Sequence, residues 1–261
     1  MDKKILFFDI DGTILSHRTY QVSESTKRSI KQAQANGHIL MINTGRVNSF
    51  IDKTVRSLGF DGYICGCGTH IIYKEEVLFH TELPQDLIRS LIKDLRDYRI
   101  EAVLEGSEKV YCNHNSTSPI ITGMIEFVKK HQFNVGNWSD PDIIFDKLCI
   151  WPEEDGHEVP FYEKYKDTLD FIDREGRLYE IVPKGYSKGS GIEFILKHLD
   201  IPHENTFAFG DGENDLPMLT YAKHSIAMGN APDSIKNIVT YVTKDVDHDG
   251  IEHALKHFHL I

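Results

Sequence analysis

Hydrophobic and polar residues follow one pattern in the two flanking parts of the chain and another in the middle. In the flanking parts, short apolar runs typical of buried parallel strands alternate with amphipathic stretches typical of helices. This alternation predicts an α/β fold with a Rossmann-like parallel sheet core and helices on both faces. Strands are predicted at residues 5–8, 38–42, 63–65, 206–209, 225–228 and 240–243, and helices at 23–36, 47–58, 188–199, from 214 onward and at 231–238.

The middle of the chain, residues 83–184, breaks this alternation. Its pattern indicates an inserted α+β cap domain, which interrupts a core formed by residues 1–82 and 185–261. An insertion between segments of one core favours a lid over the site that the core carries. Helices are predicted at 85–98 and 120–130, strands at 102–104, 110–112, 147–151, 169–172 and 178–181, and a hairpin connection at 173–176.

Two carboxylates follow the first predicted strand, where Asp9 and Asp11 precede the turn Gly12-Thr13. Side chains two positions apart in a strand share a face, and open parallel sheets bind ligands beyond the carboxyl ends of their strands. A segment of this composition could also be a simple loop opening. However, two negative groups beside apolar surface are costly unless a cation or protons offset them, so we interpret the pair as a phosphoryl-transfer site.

A second acidic cluster, with Asp211, Asn214 and Asp215, follows the strand predicted at 206–209. Such hard oxygen ligands suit Mg²⁺, which is usually held by one or two carboxylates together with substrate phosphate. Asn214 and Asp215 could instead cap the helix that follows, because both residue types are good helix caps. The two roles are compatible, and we expect both.

Two further segments could bind phosphate oxygens. Thr44-Gly45-Arg46 follows the strand at 38–42 and presents a hydroxyl group, backbone N–H groups and a guanidinium group at the same sheet edge. Lys188 starts the helix predicted at 188–199, directly after the candidate cap Ser187. A lysine is unfavourable at the positive end of a helix, which indicates a functional purpose, although a lysine taken alone is usually a surface residue.

Taken together and in this order, the four segments resemble the motifs of the haloacid dehalogenase (HAD) superfamily of phosphohydrolases, and more narrowly its Cof-type members with a C2-type cap. The resemblance covers nearly the whole chain. It departs at residues 65–69, Cys-Gly-Cys-Gly-Thr, where relatives often carry an Asn-Gly pair. The matching segments are Asp9-Ile10-Asp11-Gly12-Thr13, Thr44-Gly45-Arg46, Lys188, and Gly210-Asp211 with Asn214-Asp215.

The resemblance implies a role for each matching residue. Asp9 would be the nucleophile that forms an aspartyl phosphate, while Asp11 would protonate the leaving oxygen and then deprotonate the attacking water. Thr44 and Lys188 would hold the phosphoryl oxygens. Asp9, Asp211 and the Asp11 carbonyl oxygen would hold Mg²⁺, and Asp215 completes the set of metal-site candidates. Asn214 and Asp215 would orient phosphate, Lys188 or metal-bound water. The substrate-binding candidates are Gly12, Gly45, Arg46 and Asn214.

Composition restricts the classes of binding partner and the cellular compartment that are expected for this chain. The chain carries 29 Lys plus Arg against 40 Asp plus Glu, a net charge of −11, which argues against nucleic acid or an anionic membrane as a partner. No basic and apolar leader precedes the first strand and no apolar run approaches the length of a bilayer crossing, so a cytoplasmic protein is expected. Four cysteines in 261 residues do not make a disulfide framework and are expected as buried thiols.

Three functions fit these observations. We favour a Mg²⁺-dependent phosphatase of a small phosphorylated metabolite, such as a sugar phosphate or a phosphorylated cofactor. A phosphomutase would use the same aspartate to move phosphate within a sugar, and product analysis on a hexose phosphate would separate the two. A phospho-accepting signalling domain also uses Asp, Thr and Lys, but such domains are shorter and lack a second Asp two residues after the acceptor.

Overall fold

The computed structural model describes residues 3–152, 157–174 and 176–261, and the chain divides into two compact units. The sequence predicts the short segment Arg46–Ile51 as part of the core, but it belongs to the second unit, where Val47 packs with Val103. Ser49 also donates a hydrogen bond to the Gly106 carbonyl oxygen at 2.7 Å. The first unit comprises Met1–Gly45, Asp52–Phe79 and Tyr186–Ile261, and the second comprises Arg46–Ile51 and His80–Gly185.

Strands and helices are numbered along the chain. The strands are β1 (Ile5–Phe8), β2 (Ile39–Asn43), β3 (Gly62–Cys65), β4 (His70–Tyr73), β5 (Glu76–His80), β6 (Ile100–Glu105), β7 (Val110–Cys112), β8 (Val135–Asn137), β9 (Lys147–Pro152), β10 (Leu169–Asp173), β11 (Tyr179–Pro183), β12 (Thr206–Gly210), β13 (His224–Ala227) and β14 (Tyr241–Val242). The helices are α1 (Glu24–Ala35), α2 (Lys53–Arg56), α3 (Gln85–Asp97), α4 (Pro119–Lys130), α5 (Glu158–Tyr165), α6 (Lys188–Leu199), α7 (Leu216–Tyr221), α8 (Asp233–Lys236) and α9 (Gly250–His257). None of the helices in the described part of the chain has the length and apolar character that a bilayer crossing requires.

The sheet of the first unit is mainly parallel. Its strand order is β14-β13-β12-β1-β2-β3-β4-β5, with parallel pairing from β14 through β3 and antiparallel pairing of β3 with β4. All four residues of β1 are buried, as is typical of a strand covered on both faces. The predicted α/β fold with a parallel sheet flanked by helices is confirmed. Since β1 lies between β12 and β2, the loops that follow these three strands leave the sheet at one edge.

The helix predicted at residues 47–58 is wrong as a single element. A 3₁₀ turn at Asn48–Phe50 and the short helix α2 stand in its place. Between them Ile51 is extended, and the Asp52 carboxylate accepts a hydrogen bond from the Val55 N–H group at 3.0 Å. The apolar spacing suits one helix, but the Asp52 side chain caps a new one.

The hairpin of β4 and β5 was not predicted. These strands are neighbours at the edge of the first sheet and are joined by Lys74 and Glu75, whose φ angles are 49° and 69°. Tight hairpin turns with positive φ favour Asn and Gly, so a Lys-Glu pair gives no turn signal in the sequence.

The second unit is built on a mixed sheet with the order β10-β11-β9-β6-β7-β8, antiparallel except for the pair β7 and β8. Helix α3 packs Ile88 and Leu91 into the core on one face of this sheet. The α+β character predicted for the insertion agrees with this arrangement, whereas β8 and α5 were not predicted. The predicted hairpin connection includes Glu175, which lies outside the described residues, although β10 and β11 on either side of it do pair antiparallel.

Candidate active site

The candidate site lies in the first unit, at the edge where its parallel strands end. Asp9 follows β1, Thr44 follows β2 and Asp211 follows β12, and these three strands are neighbours in the sheet. One carboxylate oxygen from each of Asp9, Asp211 and Asp215 lies within 4.8 Å of the other two. The topology therefore gathers acidic groups from segments about 200 residues apart in the chain.

Lys188 is completely buried between two carboxylates of this cluster. Its Nζ donates to Oδ1 of Asp9 and to Oδ1 of Asp215, each at 2.5 Å. Ser187 and Ser190 form a reciprocal cap that fixes the first turn of α6 and hence the origin of the lysine side chain. Burial acts to lower the pKa of Lys188, but the charges of Asp215 and Asp9 outweigh it and raise that pKa above its ordinary value.

Asp215 also organises the loop that follows β12. Its Oδ2 accepts hydrogen bonds from the backbone N–H groups of Asp211 and Gly212, at 2.8 and 2.9 Å. Its other oxygen is the one that accepts from Lys188. Because both oxygens have partners in the protein, Asp215 holds the lysine and the loop in addition to contributing negative charge.

The charges of the cluster do not balance. Burial and the charge of Asp215 raise the pKa of the Asp9 carboxyl well above its ordinary value, and Lys188 only partly offsets this. Burial and the charge of Asp215 likewise raise the pKa of Asp211 to about 6. Both shifts report the cost of crowding negative groups away from water, which a bound cation would relieve. Clustered carboxylate oxygens are the ligands that Mg²⁺ prefers, so the residues present fit a divalent cation.

The loop after β1 approaches Asp211 closely. Gly12 has a φ angle of +79°, and a Cβ atom there would lie 2.1 Å from Oδ2 of Asp211, so only glycine fits this position. The Thr13 hydroxyl group donates to Oδ1 of Asp211 at 3.0 Å. Asp11 is partly exposed and is not one of the three clustered carboxylates, but its charge contributes to the raised pKa of Asp9.

The remaining predicted residues are placed as follows. Thr44 is buried, and its backbone N–H group donates to the Ile64 carbonyl oxygen at 2.9 Å. Gly45 is the last residue before the chain enters the second unit, where Arg46 Nη1 donates to the Phe50 carbonyl oxygen at 3.2 Å. Asn214 is partly buried in the 3₁₀ turn Glu213–Asp215.

Two features near the site had no assigned role in the sequence analysis. Asn230, in the loop after β13, donates from its side-chain amide to the Asp211 carboxylate at 3.2 Å. The strand-end rule that singled out Asp9 and Asp211 also covers this position, so the signal was present. The backbone N–H group of the buried Cys67 donates to the Thr44 carbonyl oxygen at 3.1 Å, which links the unusual Cys-Gly-Cys-Gly segment to a site residue.

The chain is similar in sequence and in fold to proteins that are named as phosphatases. The family model described as haloacid dehalogenase-like hydrolase matches residues 6–255. A protein of Bacillus subtilis (strain 168) named "Putative phosphatase YkrA" is 29% identical over 261 residues, which cover 100% of both chains. The 5-amino-6-(5-phospho-D-ribitylamino)uracil phosphatase YitU of the same organism is 27% identical over 97% of each chain. Among solved structures, the HAD subclass IIB sugar phosphatase BT4131 is similar with a TM-score of 0.83 at 27% identity, covering 99% of this chain and 100% of that chain.

Proposed function

The chain belongs to the haloacid dehalogenase-like hydrolase family, and from this premise we propose that it is a Mg²⁺-dependent phosphatase that works through an aspartyl phosphate on Asp9. Family membership, with relatives named as phosphatases, establishes the coarser activity, the hydrolysis of small phosphorylated substrates. The observation that carries the finer proposal is the buried Lys188 ammonium group between Asp9 and Asp215, beside Asp211.

The proposed reaction has two steps. An oxygen of Asp9 attacks phosphorus as the bond to the leaving oxygen breaks, and Asp11 gives its proton to that oxygen. Asp11 then takes a proton from water, whose oxygen attacks phosphorus and releases the Asp9 carboxylate with inorganic phosphate. Lys188 offsets the charge of the transferring group and is kept in place by Asp215. Mg²⁺ held by Asp9, Asp211 and the Asp11 carbonyl oxygen would add positive charge at the same group.

The proposed substrate class is supported by what the named relatives share. BT4131 is a sugar phosphatase and YitU is a phosphatase of a phosphoribitylamino compound, so the two have a phosphate ester in common and differ in the rest of the substrate. We extend that class to this chain as a small phosphorylated metabolite, such as a sugar phosphate or a phosphorylated cofactor. The groups proposed to bind the phosphate are Thr44, Gly12, Gly45, Arg46 and Asn214.

We further propose that residues 83–184 form the cap that selects the substrate, with the catalytic groups on the core. Replacing this segment with the corresponding segment of YkrA tests the division of roles in a full-length chain. The chimera is expected to show a changed order of preferred substrates and an unchanged metal requirement. An unchanged order of substrates would shift the selecting role to the core, where residues 65–69 are the first candidates.

The experiment that tests the activity is a panel of phosphorylated metabolites assayed with Mg²⁺. Inorganic phosphate release, measured as kcat/KM, is expected for at least one sugar phosphate or phosphorylated cofactor and is expected to be lost in Asp9→Asn. If the product is an isomeric hexose phosphate and no inorganic phosphate is released, the protein is a phosphomutase instead. Stable labelling of the protein without turnover would favour the signalling domain.

A further inference from the structure

Asn230 lies in a loop of the first unit that is tightly held against the segment after β14. The Gly229 N–H group donates to the Lys244 carbonyl oxygen at 3.0 Å, and the Val246 N–H group donates to Oδ1 of Asn230 at 3.0 Å. The contact is so close that a side chain at Gly229 would lie 2.5 Å from the Asp245 nitrogen. The backbone therefore fixes the position from which the Asn230 side chain extends.

The amide nitrogen of Asn230 joins two loops that carry site residues. Nδ2 donates to the Gly12 carbonyl oxygen at 2.9 Å and to Oδ2 of Asp211 at 3.2 Å. An amide group has two N–H hydrogens, so both bonds can form at once. Gly12 follows Asp9 and Asp11 in the loop after β1, whereas Asp211 opens the loop after β12. The Asn230 side chain thus joins the two loops, which the hydrogen bond from the Thr13 hydroxyl group to Asp211 also connects.

These bonds leave the Asp211 carboxylate able to bind a cation. Oδ1 accepts from the Thr13 hydroxyl group at 3.0 Å and Oδ2 accepts from Asn230, so the carboxylate plane is held at both ends. Each carboxylate oxygen has more than one lone pair, so one accepted hydrogen bond does not prevent ligation. Groups that hold a metal-binding side chain in place typically contribute about 10- to 100-fold to metal affinity.

We propose that Asn230 is a positioning residue that holds the Asp211 carboxylate and the Gly12 loop ready for a divalent cation. The inference rests on the metal site of the proposed function. A positioning role and a purely structural role predict different effects of substituting Asn230. If Asn230 only tied the loop to Val246, its loss would change thermal stability and leave the metal affinity of the folded protein unchanged.

The test measures the dissociation constant of Mn²⁺ from the electron paramagnetic resonance signal of the free ion. The melting temperature of the metal-free protein is measured alongside it. Asn230→Ala is expected to raise the dissociation constant about 10- to 100-fold. Asn36→Ala is the matched control. The Asn36 amide also donates to a distant backbone carbonyl oxygen, that of Leu260, at 2.8 Å. However, Asn36 precedes β2, so it lies at the amino ends of the parallel strands, whereas the site lies at their carboxyl ends. The control is expected to bind Mn²⁺ within about twofold of the wild type.

The Mn²⁺ affinities of these proteins decide whether Asn230 positions the metal site. Mn²⁺ binding by Asn230→Ala as tight as that of the wild type, or an equal loss in Asn36→Ala, overturns the positioning role and leaves the proposed function standing. A wild-type protein that binds no Mn²⁺ overturns the metal site and the inference with it. If Asn230→Ala does not fold, Asn230→Ser takes its place, because a hydroxyl group has one hydrogen and cannot donate to both Gly12 and Asp211. Unchanged affinity in that variant overturns the inference as well.

Discussion

Each unit of the molecule buries a lysine between two carboxylates. In the first unit Lys188 contacts two aspartates at 2.5 Å, and in the second unit Lys147 lies 2.7 Å from Glu105 and 2.9 Å from Glu180. Lys147 is 2% exposed and Lys188 is fully buried, so burial does not distinguish them. By geometry alone, the two clusters could be taken for the same kind of site.

They differ in the balance of charge. In the second unit Arg174 also contacts Glu180, at 3.2 Å, so two basic groups accompany the two glutamates. In the first unit a third carboxylate, that of Asp211, lies within 4.8 Å of Asp9 and Asp215, which both contact Lys188. A buried ion pair is therefore weak evidence for function, whereas an excess of one charge at the ends of parallel strands is strong evidence.

The largest expected effect comes from removing the proposed nucleophile. Asp9→Asn should lower phosphate release about 10⁴-fold or more, because the amide has the shape of the carboxylate but cannot attack phosphorus. Circular dichroism should show an intact fold. Asp52→Asn makes the same chemical change at the helix cap of α2, where asparagine caps equally well, and should keep full activity. Substantial turnover by folded Asp9→Asn would remove the nucleophile from the proposal.

Metal removal should have the next largest effect on activity. It should act on the carboxylate cluster of the first unit and not on the Lys147 cluster of the second unit. EDTA should lower kcat at least about 10²-fold and Mg²⁺ should restore it, because the unbalanced carboxylates of the first unit then regain their cation. Ca²⁺ should not restore activity, since it takes more ligands at longer distances and would misplace Asp9. Phosphate release in metal-buffered solutions measures both. Equal rates with Ca²⁺ would contradict a geometric role for the metal.

Substituting each lysine in turn tests the comparison directly. Lys188→Met should lower kcat about 10²- to 10³-fold, because the transferring phosphoryl group loses a positive partner. Lys147→Met should instead cost about 3–5 kcal/mol of unfolding free energy, because it leaves Glu105 and Glu180 buried without the ammonium group between them. Urea unfolding and phosphate release measure the two effects. A stable Lys147→Met protein with a lowered kcat would show that the second cluster also serves catalysis.

The two lysine clusters also differ in how far the sequence predicts them. Asp9 and Asp211 were found because carboxylates that end apolar strands meet at one sheet edge, whatever the distance between them in the chain. Lys188 was found because it opens a helix where a lysine is unfavourable. The cluster of Lys147 gave no such signal, because Glu105 and Glu180 occupy strand positions that read as ordinary solvent-facing charges until the sheet order is known.

The local errors have equally specific causes. The hairpin of β4 and β5 was missed because Lys74 and Glu75 adopt positive φ without the residues that favour it. The helix at 47–58 was predicted as one element because apolar spacing hides the cap at Asp52. In neither case does the alternation of apolar and polar residues show the deciding feature, because positive φ angles and a capping side chain leave that alternation unchanged.

The smallest expected effect is the pH dependence of metal binding, which only the unbalanced cluster should show. The pKa of Asp211 is raised to about 6, so this group is mostly protonated at pH 5 and mostly ionised at pH 7 in the metal-free protein. A cation must displace that proton, so the apparent Mn²⁺ affinity should be about 10-fold weaker at pH 5 than at pH 7. The raised pKa of Asp9 acts in the same direction.

The stability of the metal-free protein should change in the opposite sense. Because the pKa of Asp211 is higher in the folded than in the unfolded chain, the folded state binds more protons between the ordinary value of 3.8 and about 6. The contribution of this group to stability therefore falls as pH rises through that window. Urea unfolding in EDTA and Mn²⁺ titration across the same pH range measure the two slopes. Asp211→Asn removes the titrating group and should flatten the dependence of the unfolding free energy on pH. If the Mn²⁺ affinity of the wild-type protein does not change between pH 5 and pH 7, Asp211 enters the metal site already ionised and the prediction is wrong.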